Sequence, residues 1–162
     1  MLLPILRWPD PRLSQPCLPA VLDDDLRALA ADMLETMYAA PGRGLSAPQV
    51  GAMRRLFVMD VAWKDGPADP MVLINPEVLW LSDELALGPE GCLSIPGVVA
   101  EVERSRALRL RWTGLDGVRV EALLEGFAAV CAQHELDHLD GIVTLDRLSS
   151  DARATALAGV LA

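Results

Sequence analysis

Histidine is nearly absent from this chain. Its 162 residues hold two, His134 and His138, both inside His134-Glu135-Leu136-Asp137-His138. Cysteine is scarce as well, with three at irregular spacing: Cys17, Cys92 and Cys131. An odd, scattered set excludes a disulfide framework and fits a reducing cytoplasm. Positive charge is in deficit, and the net charge of −9 argues against stable contact with nucleic acid or an anionic membrane. No apolar run reaches the ~20 residues of a membrane span. Met1 to Arg7 has no basic leader before its apolar residues, and Pro4 interrupts them, so no signal peptide is expected. Gly42 to Gln49 is rich in small residues but lacks a Gly-Lys-Ser/Thr ending and dinucleotide spacing, which excludes a phosphate loop.

The two histidines are worth more than their number suggests. On a helix, residues four apart project from one face about one turn apart, so both imidazoles can reach one metal ion. Glu135 between them is placed to handle protons on water beside that ion. The plain alternative is an amphipathic helix with two ordinary histidines. A catalytic site of this kind needs a third protein ligand. No glutamate follows Glu135 and there is no third histidine, which removes two common solutions. Asp146 stays open. Cys131 lies on much the same face, but reaching both histidines from it means bridging about 10 Å of helix rise. It reads as core. Cys17 sits among the prolines of the N-terminal arm and reads as a buried structural thiol. Cys92, in Glu90-Gly91-Cys92-Leu93-Ser94, is the better candidate. A thiolate and two imidazoles make an open tetrahedral site suited to zinc or ferrous iron. Cys92 as an inert turn cysteine is its alternative.

The rest of the chain reads as one α+β domain over residues 1–162. Pro4, Pro9, Pro11, Pro16 and Pro19 predict an extended arm. Asp23-Asp24-Asp25 opens a helix of about 15 residues whose Leu26, Leu29, Ala30, Met33 and Met37 face the core, ended by Pro41-Gly42. Leu56 to Val61 and Met71 to Ile74 read as strands. Asn75-Pro76 breaks the second, and Glu77 to Leu81 resumes. Leu108 to Trp112 and Val118 to Ala122 alternate around an Asp116-Gly117 turn, a hairpin. Gly126 precedes the histidine helix, whose apolar Phe127 to Ala132 should run through the core, and Gly141 follows it. A last helix covers Asp151 to Leu161. The expected architecture is therefore mostly antiparallel strands around a buried C-terminal helix, with the N-terminal helix packed outside.

Three stretches together, Gly42 to Gln49, Glu90 to Ser94 and His134 to His138, resemble the motifs of peptide deformylases, in the same order. The likeness runs over nearly the whole chain. It implies that Cys92, His134 and His138 hold a divalent metal, typically Fe2+, with Zn2+, Ni2+ or Co2+ able to occupy the site. It implies that Glu135 is the general acid/base, and that the Leu93 backbone N–H and the Gln49 amide stabilise the oxyanion. The implied substrate is the N-formylmethionyl end of nascent chains, and the products are formate and a free amino terminus. Gly42, Arg43, Gly44 and Gly91 are the candidate substrate contacts, the glycines letting a peptide lie along the backbone as an added strand. Arg43, Ser46, Pro48 and Val99 depart from the residues usual in the family. Arg43 replaces an apolar wall and should favour an acidic residue soon after the formyl-methionine. The last helix is short and nearly uncharged, whereas some bacterial members end in a longer basic helix implicated in ribosome contact. Transient ribosome contact, another small formylated substrate, and a silent binder of peptide N-termini all remain as readings here.

Overall fold

The structure, a computed structural model, describes residues 1–161. The first helix, α1 (Asp24–Ala39), starts where the acidic run predicts. Asp23 caps it by accepting the Leu26 N–H at 2.8 Å, and Asp24 and Asp25 complement the helix dipole. A five-stranded sheet follows, built from β1 (Gly44–Ser46), β2 (Leu56–Met59), β3 (Met71–Leu81), β6 (Ala107–Thr113) and β7 (Arg119–Glu125) in the order β1-β2-β3-β6-β7. β4 (Leu85–Cys92) and β5 (Ile95–Ser105) form a separate two-stranded hairpin. Every named strand pair is antiparallel. Helix α2 (Gly126–Leu139) carries both histidines, and α3 (Ser150–Leu161) packs against β5. No described helix is long and apolar enough to cross a membrane.

β2 explains the layering. Leu56 and Val58 face α1, in a cluster with Leu26, Ala30, Met33 and Met37. Phe57 and Met59 face the other way, into a cluster with Ala129, Cys131, Ala132 and Leu136 of α2. A strand buried on both faces has no polar alternation, which is why Leu56 to Met59 reads as a continuous apolar run. The helix order is the expected one: α1 outside, α2 inside.

Two expectations are corrected, and one hairpin is added. Asn75-Pro76 does not end a strand. β3 runs on through it with a register shift between Ile74 and Glu77. Asn75 takes φ +50° and its side chain both accepts from and donates to the Ala20 backbone, so the irregularity is held from outside the sheet. Phe127, expected in the core, is 49% exposed at the first turn of α2. The β4–β5 hairpin was not foreseen, because Gly88, Pro89, Gly91, Pro96 and Gly97 hide its strand pattern.

Candidate active site

The site forms where three pieces of chain converge: the edge strand β1 with the 3-10 turn after it, the β4–β5 turn, and the middle of α2. The N-terminal arm ties the first two together. Leu6 N–H donates to the Gln49 carbonyl at 2.7 Å and Trp8 N–H to the Ser94 carbonyl at 2.9 Å. Gly44 lets β1 approach α2. A Cβ there would stand 2.9 Å from Cys131 Sγ and 3.0 Å from Glu135 Oε1. Its smallness is needed by the protein's own packing as well as by any peptide. At Gly42 a Cβ would meet the Leu93 side chain at 2.7 Å.

Cys92 is the last residue of β4, and Leu93-Ser94 form the tight turn into β5. That turn aims the thiol at α2. Cys92 Sγ lies 3.4 Å from His138 Nε2, and the two Nε2 atoms of His134 and His138 are 3.2 Å apart. The three ligand atoms all lie within 4.8 Å of one another. Two imidazole nitrogens and a sulfur pointing at a common centre, two of them fully enclosed, suit a divalent cation better than they suit each other. The donor set fits a metal. Asp146 is elsewhere: it accepts the Val143 N–H and pairs with Arg153. Cys131 is buried beside Gly44 with its Sγ donating to the Arg43 carbonyl, as core packing predicts, and Cys17 is also buried.

Glu135 is buried beside the ligands, and its Oε2 has no hydrogen-bond partner. Burial pushes its carboxyl up to about 7, against the pull of His134. Gln49 is likewise buried. Its Oε1 accepts from Ser46 and its Nε2 donates to Ser94 Oγ at 3.0 Å, with Cys92 Sγ at 3.6 Å. The amide orientation is therefore set by Ser46.

Behind the ligands lies a charged network that the sequence did not reveal. Glu90 accepts from His134 Nδ1 at 3.0 Å, fixing that ring with Nε2 toward His138 Nε2. Arg104 grips Glu90 with two bonds of 2.9 Å and Asp137 with one of 2.6 Å, and Arg147 closes on Asp137. Burial raises the Glu90 carboxyl, but Arg104 and His134 outweigh it and bring it to about 2. For His134, burial works against the charged form, while Cys92 and Glu90 raise the pKa well above the ordinary value. Burial, with His134 and Arg104 nearby, pushes His138 down. Glu90, Arg104 and Asp137 come from β4, β5 and α2. The only sequence hint was that Glu90 stands two residues before Cys92.

A cleft of about 570 Å³ opens above these groups. Gly42, Arg43 and Gly44 line one bank, Gly91, Cys92 and Leu93 the other, and Gln49, His134 and Glu135 the inner end. Nine residues singled out by the sequence thus line one cleft, and the tenth, His138, lies beneath the lining.

An α+β scaffold that presents a cysteine and two histidines to one point, with an enclosed glutamate alongside, defines the class of metal-dependent hydrolases. The family model "Polypeptide deformylase" matches residues 2–154. A peptide deformylase of Phenylobacterium zucineum is 49% identical over 154 residues, covering 94% of this chain and 91% of that protein. One of Alkalilimnicola ehrlichii is 52% identical over 149 residues, 91% of this chain and 83% of its own. The crystal structure of a peptide deformylase from Legionella pneumophila superposes with a TM-score of 0.93 at 35% identity, covering 99% of this chain and 94% of that one. The chain belongs to the polypeptide deformylase family, and its activity is the hydrolytic deformylation of nascent peptides.

Proposed function

We propose that Cys92, His134 and His138 hold the metal, that Glu135 moves the proton, and that Gln49 and Leu93 receive the oxyanion, in the hydrolysis of N-formylmethionyl peptides to formate and a free amine. The observation that carries this is the convergence of three ligand atoms within 4.8 Å beside the unpartnered Oε2 of Glu135. One thiolate and two imidazoles suit Fe2+ or Zn2+, with Ni2+ and Co2+ as substitutes, and we assign ferrous iron. A cation there supplies Lewis-acid polarisation of a carbonyl and makes water more acidic.

The chain's own groups do the rest. Glu135 accepts the proton of the attacking water at a carboxylate oxygen and delivers it to the leaving amide nitrogen. Its enclosure, which raises its pKa, suits a group that must hold and then release a proton. Gln49 Nε2 has two hydrogens. Ser94 Oγ takes one, and the other, on a long 3.6 Å contact with Cys92 Sγ, can turn to the negative charge that develops on the formyl oxygen. Leu93, at the tight turn, offers a backbone N–H to the same oxygen. β1 is the edge strand of its sheet, so its outer side at Gly44 and the extension before it, Gly42-Arg43, can pair with a peptide, while Gly91 leaves the facing bank low.

Formyl is the smallest acyl group, and a tight inner end should exclude acetylated chains. We read the protein as cytoplasmic, with transient contact to the ribosome; its net charge of −9 argues against stable nucleic-acid binding. The test is formate release from formyl-Met peptides by metal-loaded protein, beside formyl amino acids and acetyl-Met peptides. Release from formyl amino acids but not peptides would redirect the reading to another formylated substrate. Binding without release would make the protein a silent binder.

A further inference from the structure

We propose that Arg43 and Lys64 form a cationic wall of the peptide channel that selects formyl peptides with an acidic residue at the first or second position after formyl-methionine. The inference rests on the deformylase reading above and concerns which peptides that site prefers.

Lys64 is the chain's only lysine, and it lines the same cleft as Arg43 in a protein of net charge −9. Neither cation hangs free. The Arg43 guanidinium carbon stands 5.2 Å from the centre of the exposed Phe127 ring, so ring and guanidinium are stacked face to cation. The stem covers apolar surface and the charge stays at the channel. Lys64 sits on a loop pinned at both ends of its turn. Asp60, buried, accepts the N–H groups of Ala62, Trp63 and Asp69. Trp63 Nε1 donates to the Gly42 carbonyl at 3.0 Å, and Asp60 N–H to the Arg43 carbonyl at 2.8 Å. The loop is thus fastened directly to the Gly42-Arg43 segment leading into β1, and the ammonium lies 5.6 Å from the Trp63 ring.

Acids that could already neutralise this wall are few. Glu90 is committed to Arg104 and His134, and Glu135 lies enclosed at the inner end. Among the described residues, Asp65 is the acid paired with Arg43. It stands 3.7 Å from Arg43 Nη2 with its side chain 84% exposed, a long and solvated pair. A carboxylate brought into the channel can take its place. The opposite bank, Pro96 to Val99, carries no charge, so the field across the channel points one way. Arg43 directly precedes Gly44, which touches Glu135. At about 3.3 Å of rise per residue, a peptide starting at the metal position passes Arg43 within its first residues.

The test compares kcat/KM for formyl-Met-Glu-Ser and formyl-Met-Gln-Ser with metal-loaded enzyme at low and high salt. The glutamate peptide should lead by roughly 2- to 5-fold at low salt, with the lead shrinking as salt screens the charges. Arg43→Gln should reduce the ratio. Lys64→Glu should reverse the bias, so that formyl-Met-Lys-Ser overtakes the glutamate peptide, an outcome that a merely misfolded variant does not produce. A ratio of one in the wild type at low salt, or a ratio that both variants leave unchanged, would overturn the proposal. Formate from the glutamine peptide in the same assay separates that failure from failure of the deformylase reading, which would show as no formate from any peptide.

Discussion

Gln49 Oε1 accepts both the backbone N–H and the hydroxyl of Ser46, each at 3.0 Å. An amide can flip end for end, and two donors on one oxygen settle which end faces the ligands. Nε2 is thereby committed to the Ser94 and Cys92 side. The serine that departs from the family's usual alanine is a second fastening on the group assigned to the oxyanion.

Gln49→Ala should lower kcat by ~10²–10³-fold with a smaller change in KM, the loss expected for one oxyanion donor. It should also destabilise the fold by ~1–3 kcal/mol, because two buried Ser46 donors lose their acceptor. Ser46→Ala keeps the backbone donor and should cost kcat about 10-fold or less. Steady-state kinetics and urea unfolding check both. An unchanged kcat in Gln49→Ala would remove it from the oxyanion role.

Glu90→Gln should weaken metal binding by ~10–100-fold, read by chelator competition, since Glu90 orients His134 through Nδ1. Arg104→Met leaves two buried carboxylates without their shared partner and should cost ~3–5 kcal/mol in urea unfolding. Equal metal affinity in Glu90→Gln would show that the ring is held without it.

Cys92 borders the cleft and is only half-buried. With ferrous iron bound, air should inactivate the enzyme, while nickel or zinc forms persist. Mass spectrometry should find oxidised Cys92 in the aerated iron form. Equal decay of iron and nickel forms with Cys92 still reduced would contradict this.

Asp60 ties Tyr38, the 62–69 loop and β1 together. Burial raises its carboxyl, but the donors of Tyr38, Ala62, Asp69 and Trp63 outweigh that and hold it below the ordinary 3.8. Asp60→Asn presents an amide N–H where a carboxylate accepted and should cost ~1–3 kcal/mol near neutral pH. A pKa lowered on folding contributes stability that is present above the unfolded value and lost as pH falls through the folded one. The gap between wild type and Asp60→Asn should therefore close below about pH 4. A gap that is constant with pH would assign the loss to packing alone.

The meeting of His134 and His138 was legible because one helix carries both, and helical spacing alone brings them together. Cys92 could be weighed because so few other ligands exist, though its placement depends on a hairpin that the sequence obscured. Glycines and prolines in β4 and β5 serve the cleft: they keep Gly91 open and turn the chain at Leu93-Ser94, which erases the alternation a strand normally shows. The Glu90–Arg104–Asp137 network stayed hidden for another reason. Its members meet only after β4, β5 and α2 assemble, and charged residues in a strand ordinarily indicate a solvated face. Arg104, 6% exposed, is the opposite case. Phe127 misled in turn: an apolar residue at the head of a core helix packs under Arg43 at the rim.

Formate release from a formyl-Met peptide, measured for metal-loaded wild type and Glu135→Gln, bears on the proton transfer at the heart of the site. Equal bound metal in the two proteins, release by the wild type, and a loss of ~10²–10⁴-fold or more in the variant are expected. Near-normal release by metal-loaded Glu135→Gln, or none by the metal-loaded wild type, would contradict this.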